Sequence, residues 1–369
     1  MPQHPQVELQ GIEKTFGPVH VLSGLDLSVA EGEFLSLLGP SGCGKSTCLN
    51  IVAGFLRPDA GEIRLAGASV VNLPPHRRSL GMVFQRYTLF PHMSVFDNVA
   101  FGLRLRKVSA SEVRHRVEAA LDLVRLPGMA KRYPNEMSGG QQQRIALARA
   151  LVLEPKVLLL DEPLSNLDAK LRREMQVELR RIHEELGTTT IYVTHDQEEA
   201  LVLSDRIAVM HHGLIAQIDT PRVIYDTPRT RFVAEFVGES NFLEGKVVER
   251  APGSIRVRAQ GVDLHVRVDG SWRVPEVGAQ VEVVLREEKV RLVRQANGPN
   301  TVSARIERVV YHGVSWRYFL GFGDTQIRAS VPASAGQLYQ PGEAVFAVLP
   351  PEDLIVLEAS PSVAGHHER

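Results

Sequence analysis

The chain has 369 residues, 44% of them hydrophobic and 23% charged, with a formal net charge of -1 at pH 7. That length calls for two or three domains, and the near-zero charge argues against a broad electrostatic grip on nucleic acid. No apolar run approaches the roughly 20 residues that span a bilayer; VLLL at 157–160 suits one buried strand. The start MPQHPQVELQ has no basic stretch followed by an apolar one, so no secretory signal is expected. Cys43 and Cys48 are too few for a disulfide framework and read as reduced thiols of a cytosolic protein.

In chain order, the first strong element is FLSLL (34–38), a run of strand length. GPSGCGKST (39–47) follows at once, and CLNIVAGFL then places apolar residues at helical spacing. Strand, glycine-rich loop and helix are the context of a P-loop. Gly39, Gly42 and Gly44 let successive backbone N–H groups face phosphates, with Pro40, Ser41 and Cys43 completing the loop. Lys45 supplies charge to the β- and γ-phosphates of ATP, the Ser46 hydroxyl can ligate Mg²⁺, and Thr47 can add a hydroxyl near the α-phosphate.

Residues 87–96 are unusually aromatic and apolar for a connection. A helix follows, in which Ser109 and Glu112 form a capping-box pattern and Val113, Val117, Leu121 and Val124 an apolar stripe. MSGGQQQ (137–143) then opens another helical pattern with a glycine pair, a second phosphate-binding device a hundred residues after the first. KVLLLDEP (156–163) is an apolar strand ending in carboxylates: Asp161 is placed to hold Mg²⁺, Glu162 to polarise an attacking water. Beyond RFVAEFVGESNFLEG (231–245) the pattern changes to short alternating runs, among them SIRVRA, VDLHVRV, AQVEVVL, TVSARIERVV, WRYFLGF and EAVFAVL, the mark of an all-β domain. Within it VLREEKVRLV (284–293) echoes VLPPEDLIVL (348–357).

The P-loop, MSGGQQQRIALARAL and VLLLDEPLSNLDAKLR, in this order, resemble the ATPase subunits of ABC transporters; Gln85 in MVFQ and His195 in VTHDQEEAL belong to the same set. The resemblance covers essentially the whole chain. It implies an α/β P-loop nucleotide hydrolase domain over 1–238, with a helical subdomain at about 86–155, and an all-β OB-like (TOBE-type) barrel domain over 239–369. It also explains the two phosphate loops. Two copies would dimerise head to tail, with Ser138, Gly139, Gly140 and Gln141 of one clasping the γ-phosphate held by Lys45 of the other. Met137 replaces the family's usual Leu, a volume-conserving change.

The same resemblance implies that Phe16 stacks on adenine and that Gln85 reaches Mg²⁺ and the attacking water while reporting to a membrane partner. Asp168 would act at the dimer interface, His195 would contact the γ-phosphate, and Glu162 would be the general base. Segment 87–96 would pack under the helical subdomain and also form the groove for a coupling helix. The implied partners are a second copy, two transmembrane permease subunits and, indirectly, a solute-binding protein. The implied place is the cytoplasmic face of the cell membrane, held there by the permease. Nucleic acid is not expected, since the barrel's aromatics are sparse and its charge mixed.

LPPHRRSLGMVFQRYTLFPHMSV and FVAEFVGESNFLEG look most like the polyamine (spermidine/putrescine), ferric-iron and phosphonate importer branch, with polyamine first, then iron or phosphonate, then thiamine or sugar. An ATPase subunit does not touch the solute, so the sequence does not encode it. In the barrel, Glu287 departs from the family's usual Arg-Pro-Glu, which weakens a ligand reading of that turn. Three soluble rivals fit worse. A chromosome or DNA-repair ATPase needs a long coiled coil, a translation factor usually carries two cassettes, and a non-hydrolysing regulator would lack Glu162 and His195.

Overall fold

The computed structural model describes residues 5–268, 274–296 and 298–358. The chain divides into two compact units, Met1–Ile224 and Tyr225–Arg369. The first runs β1 (Val7–Phe16), β2 (Val19–Val29), β3 (Phe34–Leu38), α1 (Lys45–Ala53), β4 (Ala60–Leu65), β5 (Ala68–Ser69), β6 (Leu80–Val83), α2 (Val95–Leu105), α3 (Ala110–Leu123) and α4 (Gly139–Leu151). It continues with β7 (Val157–Asp161), α5 (Ala169–Leu186), β8 (Thr189–Thr194), α6 (Gln197–Leu203), β9 (Arg206–His211) and β10 (Leu214–Asp219).

Its central sheet has the order β10-β9-β3-β8-β7-β6, parallel except for the edge strand β10. Every residue of β3 and β8 is buried, as parallel strands covered on both faces must be. A second, antiparallel sheet, β2-β1-β4-β5, shares one apolar core with α1 and one face of β3 and β7, built around Leu9, Leu22, Leu37, Leu49 and Leu159. The other core joins α2, α3, α4 and α5 through Val99, Val117, Ile145 and Leu179. The stripe Val113, Val117, Leu121 and Val124 faces that core, and the Ser109 hydroxyl accepts from the Glu112 amide at the start of α3. Met137 is buried in the same core. Among the described residues no helix is long and apolar enough to cross a membrane.

After α7 (Pro221–Asp226) and α8 (Arg231–Phe236), the second unit is all β: β11 (Ser240–Ala251), β12 (Ser254–Ala259), β13 (Val262–Arg267), β14 (Gln280–Arg286), β15 (Arg291–Val293), β16 (Thr301–Tyr311), β17 (Ser315–Phe322), β18 (Thr325–Pro332), β19 (Ala344–Val348) and β20 (Ile355–Glu358). Two five-stranded sheets, β13-β12-β11-β14-β20 and β15-β19-β16-β17-β18, enclose one core that includes Val283, Ile306, Tyr318 and Ala347. The echoing segments are exchanged between the sheets. Val284 pairs with Ile355, and Val348 with Arg291, which are reciprocal positions of the two repeats. The sequence echo is therefore a local two-fold pairing of strand–turn–strand units. Glu287, at the turn of the first, is buried and accepts from Arg317 Nε and Nη2 at 3.1 and 2.8 Å, a structural use of the residue.

Candidate functional site

The P-loop leaves β3 and enters α1 through Gly44, whose φ of 104° no L side chain adopts without strain. A Cβ there would also meet Leu22 Cδ2 at 2.8 Å, and one on Gly39 would meet the Met210 carbonyl oxygen at 2.5 Å. The loop thus has glycine where backbone comes close and where the chain turns left-handed. No side chain caps the first turn of α1, so the helix presents its leading amides and its positive dipole end. Lys45 is buried, and its ammonium donates to the carbonyls of Gly39 and Pro40 at 2.7 and 2.9 Å. These are the features an anion cradle needs.

Beside it, the Ser46 hydroxyl donates to Asp161 Oδ1 at 3.0 Å, joining the P-loop to the tip of β7. Burial pushes the Asp161 carboxyl above the usual carboxylate range, with Glu162 adding to the push while Ser46 and Lys45 oppose it. A hydroxyl and a desolvated carboxylate suit a hard divalent cation completed by phosphate oxygens and water. Among the described residues no three His, Cys, Asp or Glu side chains form a cage of protein ligands alone. The residues therefore fit Mg²⁺ bound together with a nucleotide.

Glu162 follows with φ 43°, an uncommon backbone for a non-glycine residue. Its amide donates to Val193 O, pinning β7 to β8 where both strands end. Its carboxylate joins two loops: Gln85 Nε2 donates to Oε2 at 3.0 Å, and His195 Nδ1 lies 3.3 Å from Oε1. Asn166 donates to the Gln85 carbonyl at 2.8 Å, so Gln85 is held on both sides. Lys45, Ser46, Asp161, Glu162, Gln85 and His195 thus form one connected site.

The other expected residues lie outside that network of contacts. Phe16 ends β1 with its ring half exposed, 5.5 Å from Lys14 Nζ. Ser138 caps α4, its hydroxyl accepting from the Gln141 amide while the Gln141 side chain accepts from the Ser138 amide. A Cβ on Gly139 would meet nothing closer than 3.8 Å, so that turn is open. Among the described residues no hydrogen bond joins Ser138–Gln141 to the P-loop. Asp168 caps α5, accepting from the amides of Lys170 and Leu171. Segment 88–94 is pinned by buried Asn98, which accepts from Phe90 N and donates to the carbonyls of Phe90, Met93 and Ser94. Met82, Phe84, Thr88, Phe90, Phe101 and Arg149 line a groove of about 410 Å³ beside it.

The ABC transporter family model matches residues 22–165, and that for the TOBE domain matches 283–357. Spermidine/putrescine import ATP-binding protein PotA of Rubrobacter xylanophilus is 52% identical over 316 residues, covering 85% of this chain and 83% of that protein. The chain belongs to the ATP-binding subunits of ABC transporters. The protein of the same name from Thermobifida fusca is 46% identical over 362 residues, covering 96% of this chain and 94% of that protein. Among solved structures, the dimeric ATP-binding cassette MJ0796 bound to ADP and Pi superposes with a TM-score of 0.53 at 34% identity, covering 58% of this chain and 99% of that one.

As an ABC transporter ATPase the chain binds nucleotide and hydrolyses ATP to drive import. Family motifs do not announce every residue that builds the site. Arg149 and Arg172, both helical, hold the loops of Gln85 and His195 respectively, and Asn166 holds Gln85 itself. Helical arginines ordinarily face solvent, so no local pattern marks these two.

Proposed function

We propose that this ABC transporter ATPase powers the import of a polyamine, spermidine or putrescine, through a permease at the cytoplasmic face of the cell membrane. The observation that carries the catalytic part is Glu162, held between Gln85 and His195 and adjacent in the chain to Asp161. Support for the solute comes from relatives spanning up to 96% of the chain that bear a spermidine/putrescine import name. Ferric iron, phosphonate, thiamine or sugar is the alternative cargo.

On this reading ATP lies across the P-loop with its base against Phe16, and the amides and Lys45 neutralise its phosphates. Mg²⁺, held by Ser46, Asp161 and Gln85 together with the phosphates, would supply further charge neutralisation. Glu162 accepts a proton from the attacking water, which Gln85 orients, and His195 fixes the geometry at the γ-phosphate. There is no covalent intermediate; positioning and electrostatic stabilisation lower the barrier. Ser138, Gly139, Gly140 and Gln141 of a second copy complete the site head to tail, with Asp168 beside that interface. ATP then favours the closed dimer by differential affinity, and hydrolysis releases it. The groove at Phe84, Phe90 and Phe101 receives a helix of the permease, so its occupancy bears on Gln85.

The test is co-purification from native membranes with Glu162→Gln, ATP and Mg²⁺. Two integral membrane subunits and a polyamine-binding protein are the expected companions. A binding protein for another solute would replace the cargo. A soluble dimer, or one bound to ribosomes or DNA, would remove the transport role.

A further inference from the structure

His195 is exposed, with 55% of its side chain accessible against 20% for Glu162, and its described polar contact is Glu162. So exposed a side chain does not fix its own direction; the backbone on either side must. That backbone is tied tightly. Thr194 Oγ1 donates to Glu199 Oε2 at 2.7 Å and accepts from the Asp196 amide at 3.0 Å, while the Tyr192 hydroxyl donates to the same Glu199 oxygen at 2.6 Å. Asp196 Oδ1 caps α6 through the amides of Glu198 and Glu199 at 2.9 and 3.2 Å. Every one of these bonds lies within residues 192–199 and holds the turn to itself.

Besides the strand pairing of β8 and the Glu162 amide bond to the Val193 carbonyl, one side-chain tie reaches this turn from α5. Arg172, one turn into α5, donates from Nη1 to Asp196 Oδ2 at 3.3 Å and from Nη2 to the Leu167 carbonyl at 3.1 Å, with Nε 3.7 Å from Glu199 Oε1. Leu167 directly precedes Asp168. One guanidinium therefore spans the turn that carries His195 and the turn that carries Asp168. Arg172 and the His195 turn line a polar cavity of about 40 Å³ whose walls also include Glu162, Ser165 and Glu199. A planar fork can bind two anchors in fixed directions at once; a lysine ammonium at the same place has one point of charge.

We infer that Arg172 is a positioning residue for hydrolysis, holding the His195 turn in register with the Asp168 turn so that His195 meets Glu162. Among the described residues no hydrogen bond or ion pair joins Arg172 to Glu162; it acts through Asp196, Leu167 and Glu199. The inference rests on the ATPase reading above. Its mark is a loss in turnover without a loss in ATP binding, and a loss that vanishes once His195 is gone.

The experiment uses the full chain with Mg-ATP in excess over a range of concentrations, with phosphate release followed for long enough that slow rates are read. Wild type must hydrolyse ATP and Glu162→Gln must not; failure here removes the ATPase reading and leaves Arg172 aside. Given that, Arg172→Gln lowers kcat by about ten- to a hundred-fold, with KM for ATP and thermal midpoint little changed, and Arg172→Lys recovers part of the rate. On a His195→Ala background Arg172→Gln costs less than about two-fold more, because residues acting as a unit are non-additive. Should Arg172→Gln not fold, Glu199→Gln, which keeps the acceptor for Tyr192 and Thr194, is read in the same cycle. Unchanged kcat, a rise in KM alone, or the same fold-loss on both backgrounds would overturn the inference.

Discussion

Arg149 of α4 donates from Nη2 to the carbonyl of Tyr87 and from Nη1 to the carbonyl of Thr88, both at 2.9 Å, and Nη2 reaches Thr88 Oγ1 at 3.2 Å. Tyr87 and Thr88 have φ of 52° and 46°, two successive non-glycine residues in the left-handed region. Such residues cost about 1–3 kcal/mol each and persist where surrounding contacts over-determine them. The clamp lies two residues past Gln85, on the helix that Ser138 opens, and forms part of the groove wall. Arg149→Met removes charge-assisted bonds to carbonyls. It should lower unfolding stability by about 2–4 kcal/mol, measured by urea denaturation. Stability within about 0.5 kcal/mol of wild type would show that the strained turn is held by other contacts.

Gly139 separates fold from function at the glycine pair that opens α4. A methyl group there meets nothing nearer than Leu167 Cδ2 at 3.8 Å, and the residue lies in the first turn of α4. Gly139→Ala should leave stability unchanged or raise it by about 0.5 kcal/mol, the ordinary helix preference for Ala over Gly. If a second copy's ATP docks on this turn, the same methyl group blocks it. ATPase rate should then fall at least ten-fold and lose its steep dependence on protein concentration. A Gly139→Ala protein with normal activity would mean that the open turn faces no phosphate.

The neighbour Gly140 behaves differently, because a Cβ would press on Leu171 Cδ2 at 2.8 Å, the end of a flexible side chain. Gly140→Ala should therefore cost about 1 kcal/mol through repacking of Leu171, read as a lower urea midpoint, besides its effect on activity. A stability equal to that of Gly139→Ala would show that Leu171 moves aside freely.

The parts of the site legible in the sequence are those where backbone geometry restricts residue type. Gly39 and Gly44 are forced by close backbone and a left-handed φ, and β7 had to be apolar until Asp161 because it is buried on both faces. What was illegible is long-range. Arg149 and Tyr87 are 62 residues apart, Arg172 and Asp196 24, and nothing local distinguishes a clamping arginine from one facing solvent. In the second unit, runs such as SIRVRA coincide with strands, while β18, TQIRASVP, is too polar and ends in proline, so its pairing with β17 shows only in three dimensions. The antiparallel β1–β2 pair is similar: register shifts break its alternation.

Glu199 gives a pH signature with a definite sign. Burial pushes its carboxyl above the usual range; hydrogen bonds from Tyr192 and Thr194 and the charge of Arg172 pull it back, while Asp196 adds to the push. The folded chain therefore holds this proton more tightly than the unfolded chain. Between the ordinary carboxylate value and the raised one, the folded state binds more protons, so this group's contribution to stability falls as pH rises. Glu199→Gln lacks that slope. The thermal midpoint of the variant relative to wild type should climb with pH through this window and then level off. A difference that shrinks with rising pH would mean that Arg172 outweighs burial.

The Ser46–Asp161 contact predicts how the metal and the nucleotide divide their dependence on this site. The hydroxyl donates to Asp161 Oδ1 at 3.0 Å, and the carboxyl is desolvated enough that burial raises its proton affinity. A divalent cation arriving with ATP would replace the hydroxyl's proton as the carboxylate's partner and favour its ionised form. If Ser46 ligates that cation, removing its oxygen takes one ligand from the metal but none of the P-loop amides from the phosphates. Ser46→Ala should therefore raise the Mg²⁺ concentration for half-maximal turnover by about ten-fold or more, the scale of one lost ligand contact to a charge. ATP binding measured in excess chelator should stay within about two-fold of wild type, because Lys45 and the amides are untouched. An equal loss of ATP binding with and without Mg²⁺ would place Ser46 on the phosphates instead, and an unchanged Mg²⁺ requirement would assign the cation to Asp161 and water.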